Sequence, residues 1–235
     1  MTTLKIKNLS KTFGETKALI DLNLELKKDD IFCLLGANGA GKTTTVNLCL
    51  NFIKPTSGEV LINGESLSDL GSLIHQKITY IPEQVALYPE LTGLENLEYL
   101  LKLSNFKDQS ESLESFLEEA GLQKEAYHLP VKGYSKGMRQ KVGIALALAR
   151  KSEILILDEP TSGLDPSSAD DFVSLIKRMN SKGSCVFMVT HDIHRAVKLA
   201  SRIGIMKSGR LVENIDVDNI VESEVENLYL KHMRA

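Results

Sequence analysis

The sequence predicts an α/β fold: a mostly parallel sheet flanked by helices, with an N-terminal antiparallel β subdomain and an inserted α-helical subdomain. Three observations predict it. Over the first thirty residues apolar and polar side chains alternate with period two, the pattern of half-buried antiparallel strands. The short continuous apolar runs Ile31 to Leu35, Ile154 to Leu157 and Cys185 to Thr190 read as strands buried on both faces, as in parallel sheet. From Ala86 to Arg150 the apolar spacing changes to three and four, which is helical. A chain of 235 residues with 43% hydrophobic and 25% charged residues suits one domain with an ordinary core. Residues 1–85 and 151–235 are expected to form the core and the antiparallel region, and residues 86–150 the helical subdomain.

Within the antiparallel region, Leu4, Ile6 and Leu9 face one way with Lys5, Lys7 and Lys11 interleaved, and Leu22, Leu24 and Leu26 alternate with charged and polar neighbours. Phe13 falls just after the first strand. By position it is a loop aromatic or a core plug, and as a functional residue it would stack on a base.

Next comes Gly36-Ala37-Asn38-Gly39-Ala40-Gly41-Lys42-Thr43-Thr44, between the strand Ile31 to Leu35 and a helix expected over Val46 to Phe52. Strand, glycine loop and a helix opening with Lys and Thr form the context of a phosphate-binding P-loop. Glycines let the backbone curl so that several N–H groups converge on phosphate oxygens, and the helix N-terminus adds its positive dipole end. Lys42 would reach the terminal phosphates and the Thr43 hydroxyl would hold Mg²⁺. The loop predicts a nucleoside triphosphate and leaves open what its energy is used for.

Lys54 to Glu59 is a turn by composition, Val60 to Ile62 a short strand, and Asn63-Gly64 a type I′ turn signal. A strand over Lys77 to Ile81 ends at Pro82-Glu83-Gln84, which puts Gln84 just past a strand end, at the edge where open α/β sheets bind ligands. Thr92 and Glu95 form a capping-box pattern, Asp108 or Ser110 can cap a second helix closed by Gly121, and Ser135 can cap a third over Gly137 to Ala149. Lys136 opposes the dipole of that third helix, whereas a bound anion would reverse the sign. Ser135, Lys136 and Gly137 therefore hint at a second phosphate-facing helix end.

The run Ile154 to Leu157 ends in Asp158-Glu159. A carboxylate at a parallel strand's C-terminal end can hold Mg²⁺ beside Thr43, and the next residue points to the other side of the chain, so Glu159 can face an attacking water. Asp165-Pro166 reads as N-cap and first turn of a helix carrying Phe172, Val173, Ile176 and Met179. His191 ends the strand Cys185 to Thr190 at the same sheet edge. Lys207-Ser208-Gly209 is a hairpin turn, and Ile220 to Met233 a final helix with Val221, Val225, Leu228 and Tyr229 on one side.

A net charge of −3 gives no global attraction to nucleic acid or anionic lipid, and no nucleic-acid partner is expected. Apolar runs such as Val142 to Ala149 fall far short of the ~18 residues of a membrane span. The N-terminus lacks the apolar segment of a secretory signal. Cys33, Cys49 and Cys185 form no CxxC pair and read as buried thiols in a reducing cytosol.

These pieces, in this order, resemble the ATP-binding subunit of ABC transporters over nearly the whole chain. Gly36 to Thr44 looks like Walker A, and Ile154 to Asp158 like Walker B with Glu159 as catalytic glutamate. Gln84 is similar to the Q-loop, Ser162 to Asp165 to the D-loop, His191 to the switch histidine, and Phe13 to the aromatic A-loop. The usual signature Leu-Ser-Gly-Gly-Gln is here Tyr134-Ser135-Lys136-Gly137-Met138, which keeps the Ser and the second Gly.

The resemblance implies a Mg-dependent ATPase with ATP and Mg²⁺ as cofactors. Gly36, Asn38, Gly39, Ala40, Gly41, Lys42, Thr43 and Thr44 would bind the phosphates and Phe13 the adenine. Thr43, Gln84 and Asp158 would hold the metal. Glu159, His191, Gln84 and Lys42 would carry the catalysis, and Ser135 and Gly137 would act in trans, on a γ-phosphate held by a second subunit. It implies a head-to-tail homodimer or heterodimer on a separate transmembrane permease, cytoplasmic and peripheral on the inner face of the cell membrane. The Lys-Gly-Met form resembles bacterial drug and antibiotic exporter ATPases, which leans the reading to export. The alternatives are an importer subunit, many of which carry a C-terminal regulatory domain that a chain ending at Ala235 has no room for, or a soluble non-transport ABC ATPase.

Overall fold

Two facing bulges let the first two strands keep their leucines on one side. In the computed structural model, which describes residues 2–104 and 112–234, β1 (Thr2–Phe13) and β2 (Thr16–Lys27) pair antiparallel. Strict period two would turn Leu9 away from Leu4 and Ile6, and Leu19 away from Leu22. Instead Asn8 (φ 45) and Asp21 (φ 50) adopt left-handed backbone, and the register shifts between Ile6 and Leu9. The Asn8 side-chain amide donates to Asp21 Oδ1 at 3.0 Å, and its N–H donates to Asn23 Oδ1 at 2.9 Å, tying the two irregularities together. Leu4, Ile6, Leu9, Leu19, Leu22, Leu24 and Leu26 consequently share one buried cluster. β1 runs through Phe13, so Phe13 ends a strand rather than following one, and its ring is half exposed. β4 (Ser57–Ile62) turns into β5 (Glu65–Ser66) through Asn63 and Gly64, both at positive φ as a type I′ turn requires; the sheet order is β2-β1-β4-β5.

The second sheet is built from β3 (Ile31–Gly36), β6 (Ile78–Ile81), β7 (Ile154–Asp158), β8 (Cys185–Thr190), β9 (Arg202–Lys207) and β10 (Arg210–Asp216), in the order β10-β9-β3-β8-β7-β6. All neighbours are parallel except β9 and β10, a hairpin. Strands β3, β7 and β8 are buried on both faces, and their successive residues go to different cores. Cys33, Leu35, Leu155, Leu157, Val186 and Met188 meet helices, whereas Phe32, Leu34, Ile154, Ile156, Phe187 and Val189 meet the antiparallel sheet. The Phe32 and Phe187 rings stack tilted, 6.0 Å apart, in this second core. Cys33, Cys49 and Cys185 are buried and free, and burial pushes Cys49 and Cys185 up to about 12.

On the antiparallel-sheet side lies α1 (Lys42–Cys49), followed by the one-turn helices α2 (Leu67–Leu70) and α3 (Ile74–Lys77). The helix expected over Val46 to Phe52 thus starts at Lys42 and stops at Cys49, because Asn51 turns left-handed (φ 58) and leaves Phe52 exposed. Lys77, expected in a strand, closes α3. Opposite are α4 (Gly93–Leu103), α5 (Leu113–Glu119), α6 (Lys136–Ala149), α7 (Pro166–Ser181), α8 (Ile193–Leu199) and α9 (Glu222–Arg234). The Thr92–Glu95 capping box is present in both directions, 3.1 and 2.8 Å. Ser112 caps α5, accepting from Ser115 N–H, and Gly121 closes that helix with φ 75. Asp108 and Ser110, the caps expected from sequence, lie outside the described residues. Asp165 caps α7 with Pro166 in its first turn, as expected. In α9 Val225 is buried and Leu228 and Tyr229 half-buried, but Val221 precedes the helix and is exposed. Among the described residues no helix is long and apolar enough to cross a membrane.

Candidate nucleotide site

The chemistry-bearing residues gather at the C-terminal edge of the parallel strands. β3 delivers the glycine loop, in which Gly41 has φ 110 and a Cβ there would meet the Ala18 carbonyl oxygen at 2.7 Å, so only glycine fits. The hairpin between β9 and β10 braces the loop: Gly209 N–H donates to Ala40 O, and Ile20 N–H donates to Gly209 O, both at 2.8 Å. No side chain caps α1 and its first turn carries no acid, so its leading N–H groups are open to an anion.

Lys42 is buried, 7% exposed, yet among the described residues no carboxylate lies within ion-pair distance of it. Its Nζ folds back on the loop and donates to Gly36 O at 2.6 Å and Ala37 O at 3.3 Å. Desolvation pushes its pKa below that of an ordinary lysine, against the pull of Glu159 and Asp158. A desolvated cation without a counter-ion beside an uncapped helix start is a site that fits phosphate. Thr45 spends its hydroxyl on Gly41 O, whereas Thr43 is exposed.

Asp158, at the end of β7, is half-buried. Burial pushes its carboxyl above the usual range, Glu159 and Glu83 add to this, and a 3.3 Å hydrogen bond donated by the Tyr80 hydroxyl opposes it. A hydroxyl at Thr43, a carboxylate at Asp158 and an amide at Gln84 are the hard oxygen donors Mg²⁺ takes. Among the described residues no three His, Cys, Asp or Glu side chains cluster to hold a metal alone. That suits Mg²⁺, which keeps water and phosphate oxygens and needs only one or two protein ligands. Gln84 itself makes no hydrogen bond to Asp158 or Thr43. It is exposed and borders a cavity of about 230 Å³ together with Val85, Leu87, Val131 and Arg139.

Glu159 adopts φ +45, a left-handed conformation that costs a non-glycine residue about 1–3 kcal/mol and that clusters at functional sites. Its Oε1 lies 2.9 Å from His191 Nδ1. Its Oε2 accepts from the Thr190 hydroxyl at 3.1 Å and from His191 N–H at 3.3 Å. From sequence the two residues share only a sheet edge; the fold brings them into contact, with the carboxylate largely buried and the imidazole exposed.

Ser135 caps α6, accepting from Met138 N–H at 3.2 Å, and is exposed. Lys136, whose position in the first turn suggested a bound anion, has an intrachain partner: its Nζ donates to Glu83 Oε1 at 3.3 Å. Hydrogen bonds from Ser162 and from Lys136 hold the Glu83 carboxyl below its usual range. Glu83 thereby links the segment before Gln84, the start of α6 and the segment after β7. Sequence reading passed over it, although it sits between Pro82 and Gln84. Among the described residues no hydrogen bond or ion pair joins Ser135, Lys136 or Gly137 to the glycine loop. Phe13 stands at the tip of β1 with Lys11 Nζ 4.9 Å from its ring centroid.

The ABC transporter family model matches residues 19–162. The chain is 38% identical over 220 residues to the bacitracin transport ATP-binding protein BcrA of Bacillus licheniformis, covering 93% of this chain and 71% of that one. It is 33% identical over 211 residues to the linearmycin resistance ATP-binding protein LnrL of Bacillus subtilis, covering 89% and 68%. Import ATP-binding proteins are among its relatives as well. The dimeric structure of the bacterial ABC transporter cassette MJ0796 superposes with a TM-score of 0.81 at 30% identity, over 92% of this chain and all of that one.

Proposed function

The chain belongs to the ABC transporter family, as an ATP-binding subunit that hydrolyses ATP to power transport, and from that premise we propose that it drives export through a separate transmembrane permease. It works as one of two ATPase subunits paired head to tail, held at the inner face of the membrane by the permease. One observation carries the pairing. Lys42, with no ion-pair partner among the described residues, and the uncapped start of α1 form an anion site, to which no described hydrogen bond or ion pair joins the Ser135–Gly137 helix start of the same chain. Each chain thus holds half of two sites, and the cassette MJ0796 is itself dimeric. Export is supported by the resistance function in LnrL's name and by the Lys-Gly-Met signature.

Phosphoryl transfer needs positioning and charge neutralisation more than covalent chemistry. Lys42 and the backbone amides from Gly39 to Thr44 bind the β- and γ-phosphates, with Gly36, Asn38 and Ala40 shaping the loop, and Phe13 stacks on adenine. Thr43 and Asp158, with Gln84 reaching toward them, would hold Mg²⁺, which neutralises charge across the phosphates when bound. Glu159 accepts hydrogen bonding from the in-line water, and His191 supports the γ-phosphate. Their contact ties both tasks together: as His191 turns to phosphate, Glu159 Oε1 is released for water. Ser135 and Gly137 complete the site from the second subunit. The described residues of 86–150 make up the helical subdomain of this single ATPase domain.

ATPase activity of the isolated chain is expected to rise more steeply than linearly with protein concentration. Strict linearity down to the lowest measurable concentration would refute the pairing. With the permease in inverted vesicles, ATP-driven accumulation of bacitracin in the lumen is the outcome expected for export. ATP-driven release would reverse the direction.

A further inference from the structure

Gln140 lies in the second turn of α6 and is fully buried. Its Nε2 donates to the carbonyl oxygen of Pro160, while its Oε1 is buried with no hydrogen-bond partner among the described residues. An apolar side chain of similar size would fill this space without stranding an acceptor, so packing alone does not explain an amide here. The explanation lies in what it holds. Pro160 follows Glu159, whose backbone turns left-handed just past β7 while its N–H still donates to Val189 O at 2.9 Å. The turn beyond is closed by Ser162 N–H donating to Glu159 O at 3.1 Å and Leu164 N–H donating to Thr161 O at 3.2 Å. Proline brings no N–H of its own to anchor the Glu159–Pro160 peptide. The Gln140 amide fixes the next peptide plane, and with it the turn that aims Glu159.

We propose that Gln140 is a positioning residue coupling the phosphate-facing start of α6 to Glu159 of the same chain. α6 is one continuous helix from Lys136 to Ala149, so a shift at Ser135 and Gly137 travels to Gln140 and pulls on the Pro160 carbonyl. Engagement of the partner's nucleotide by the start of α6 re-aims the carboxylate that activates water over the chain's own nucleotide. This inference rests on the roles proposed above for Glu159 and for the α6 start.

The test uses the full chain with its permease. Gln140→Met fills the space but cannot donate. It is expected to lower kcat about tenfold or more, while affinity for a fluorescent ATP analogue and the melting temperature stay near wild type. Gln140→Glu matches the original in shape and donates only when protonated, and burial raises a carboxyl's pKa. The ratio of its kcat to that of wild type should fall as pH rises through neutrality. A flat ratio in a folded variant, or undiminished turnover in folded Gln140→Met, overturns the proposal. So does parallel loss of rate, ATP affinity and melting temperature, or failure of both variants to fold, since each assigns Gln140 a purely structural role. Glu159→Gln measured alongside separates the two levels. Retained turnover there refutes the role of Glu159 itself, whereas loss there with unimpaired Gln140 variants refutes only the coupling.

Discussion

Glu159→Gln removes the base proposed to activate water while leaving nearly everything around it in place. The amide oxygen can still accept from the Thr190 hydroxyl and from His191 N–H, and the amide NH₂ can donate to His191 Nδ1 in its neutral form. Weakened hydrogen bonds are offset by no longer burying a charge, so the net stability change should be about 1 kcal/mol or less, a melting shift of roughly 2–4 °C at this chain length. Lys42 loses one of the two carboxylates that attract it, which leaves nucleotide affinity unchanged or slightly tighter. Turnover is another matter. A positioned general base contributes about 10²- to 10⁴-fold, or roughly 3–5 kcal/mol of transition-state stabilisation. Phosphate release at saturating ATP should fall by that factor, with binding of a fluorescent ATP analogue retained. A variant keeping more than a tenth of wild-type turnover would mean that another group activates the water. One that lost nucleotide binding would mean Glu159 serves the pocket instead.

Lys136→Glu should slow ATP hydrolysis strongly if Lys136 leaves Glu83 for the partner's nucleotide. Adding Glu83→Lys restores the surface ion pair, worth at most about 1 kcal/mol, but not the rate; recovery by the double variant would assign Lys136 to the intrachain pair alone. Gly58→Ala should destabilise the chain by more than about 1 kcal/mol in urea unfolding. Gly58 has φ +80, and a Cβ would sit 2.3 Å from Asn8 O and 2.4 Å from Lys7 O, both in the β1 backbone; a change within error would show that the bulge relaxes freely. Cys49 and Cys185, buried with thiols pushed up to about 12, should not react with a disulfide reagent at neutral pH until the chain is unfolded; fast reaction of the folded protein would refute that burial.

The sequence by itself determined whatever near neighbours along the chain control. The Thr92–Glu95 box, the Asn63-Gly64 turn, the Asp165-Pro166 helix start and the glycine loop each depend on a few consecutive residues, and all stand where expected. Continuous apolar runs likewise marked β3, β7 and β8, because a strand covered on both faces has no polar side to show. Bulges escaped the period-two reading, since Asn8 and Asp21 reset the alternation by taking left-handed backbone. The contacts that arm the site were out of reach for a different reason. Tyr80 with Asp158, Lys136 with Glu83, Glu159 with His191 and Gln140 with Pro160 are separated by 78, 53, 32 and 20 residues respectively. Their meeting depends on β7 lying between β8 and β6, and on α6 packing across the sheet. Residue pattern reports which faces are buried but not which strands become neighbours. Tertiary structure alone therefore decided that Glu159 and His191 hold each other, and that Lys136 has a partner of its own.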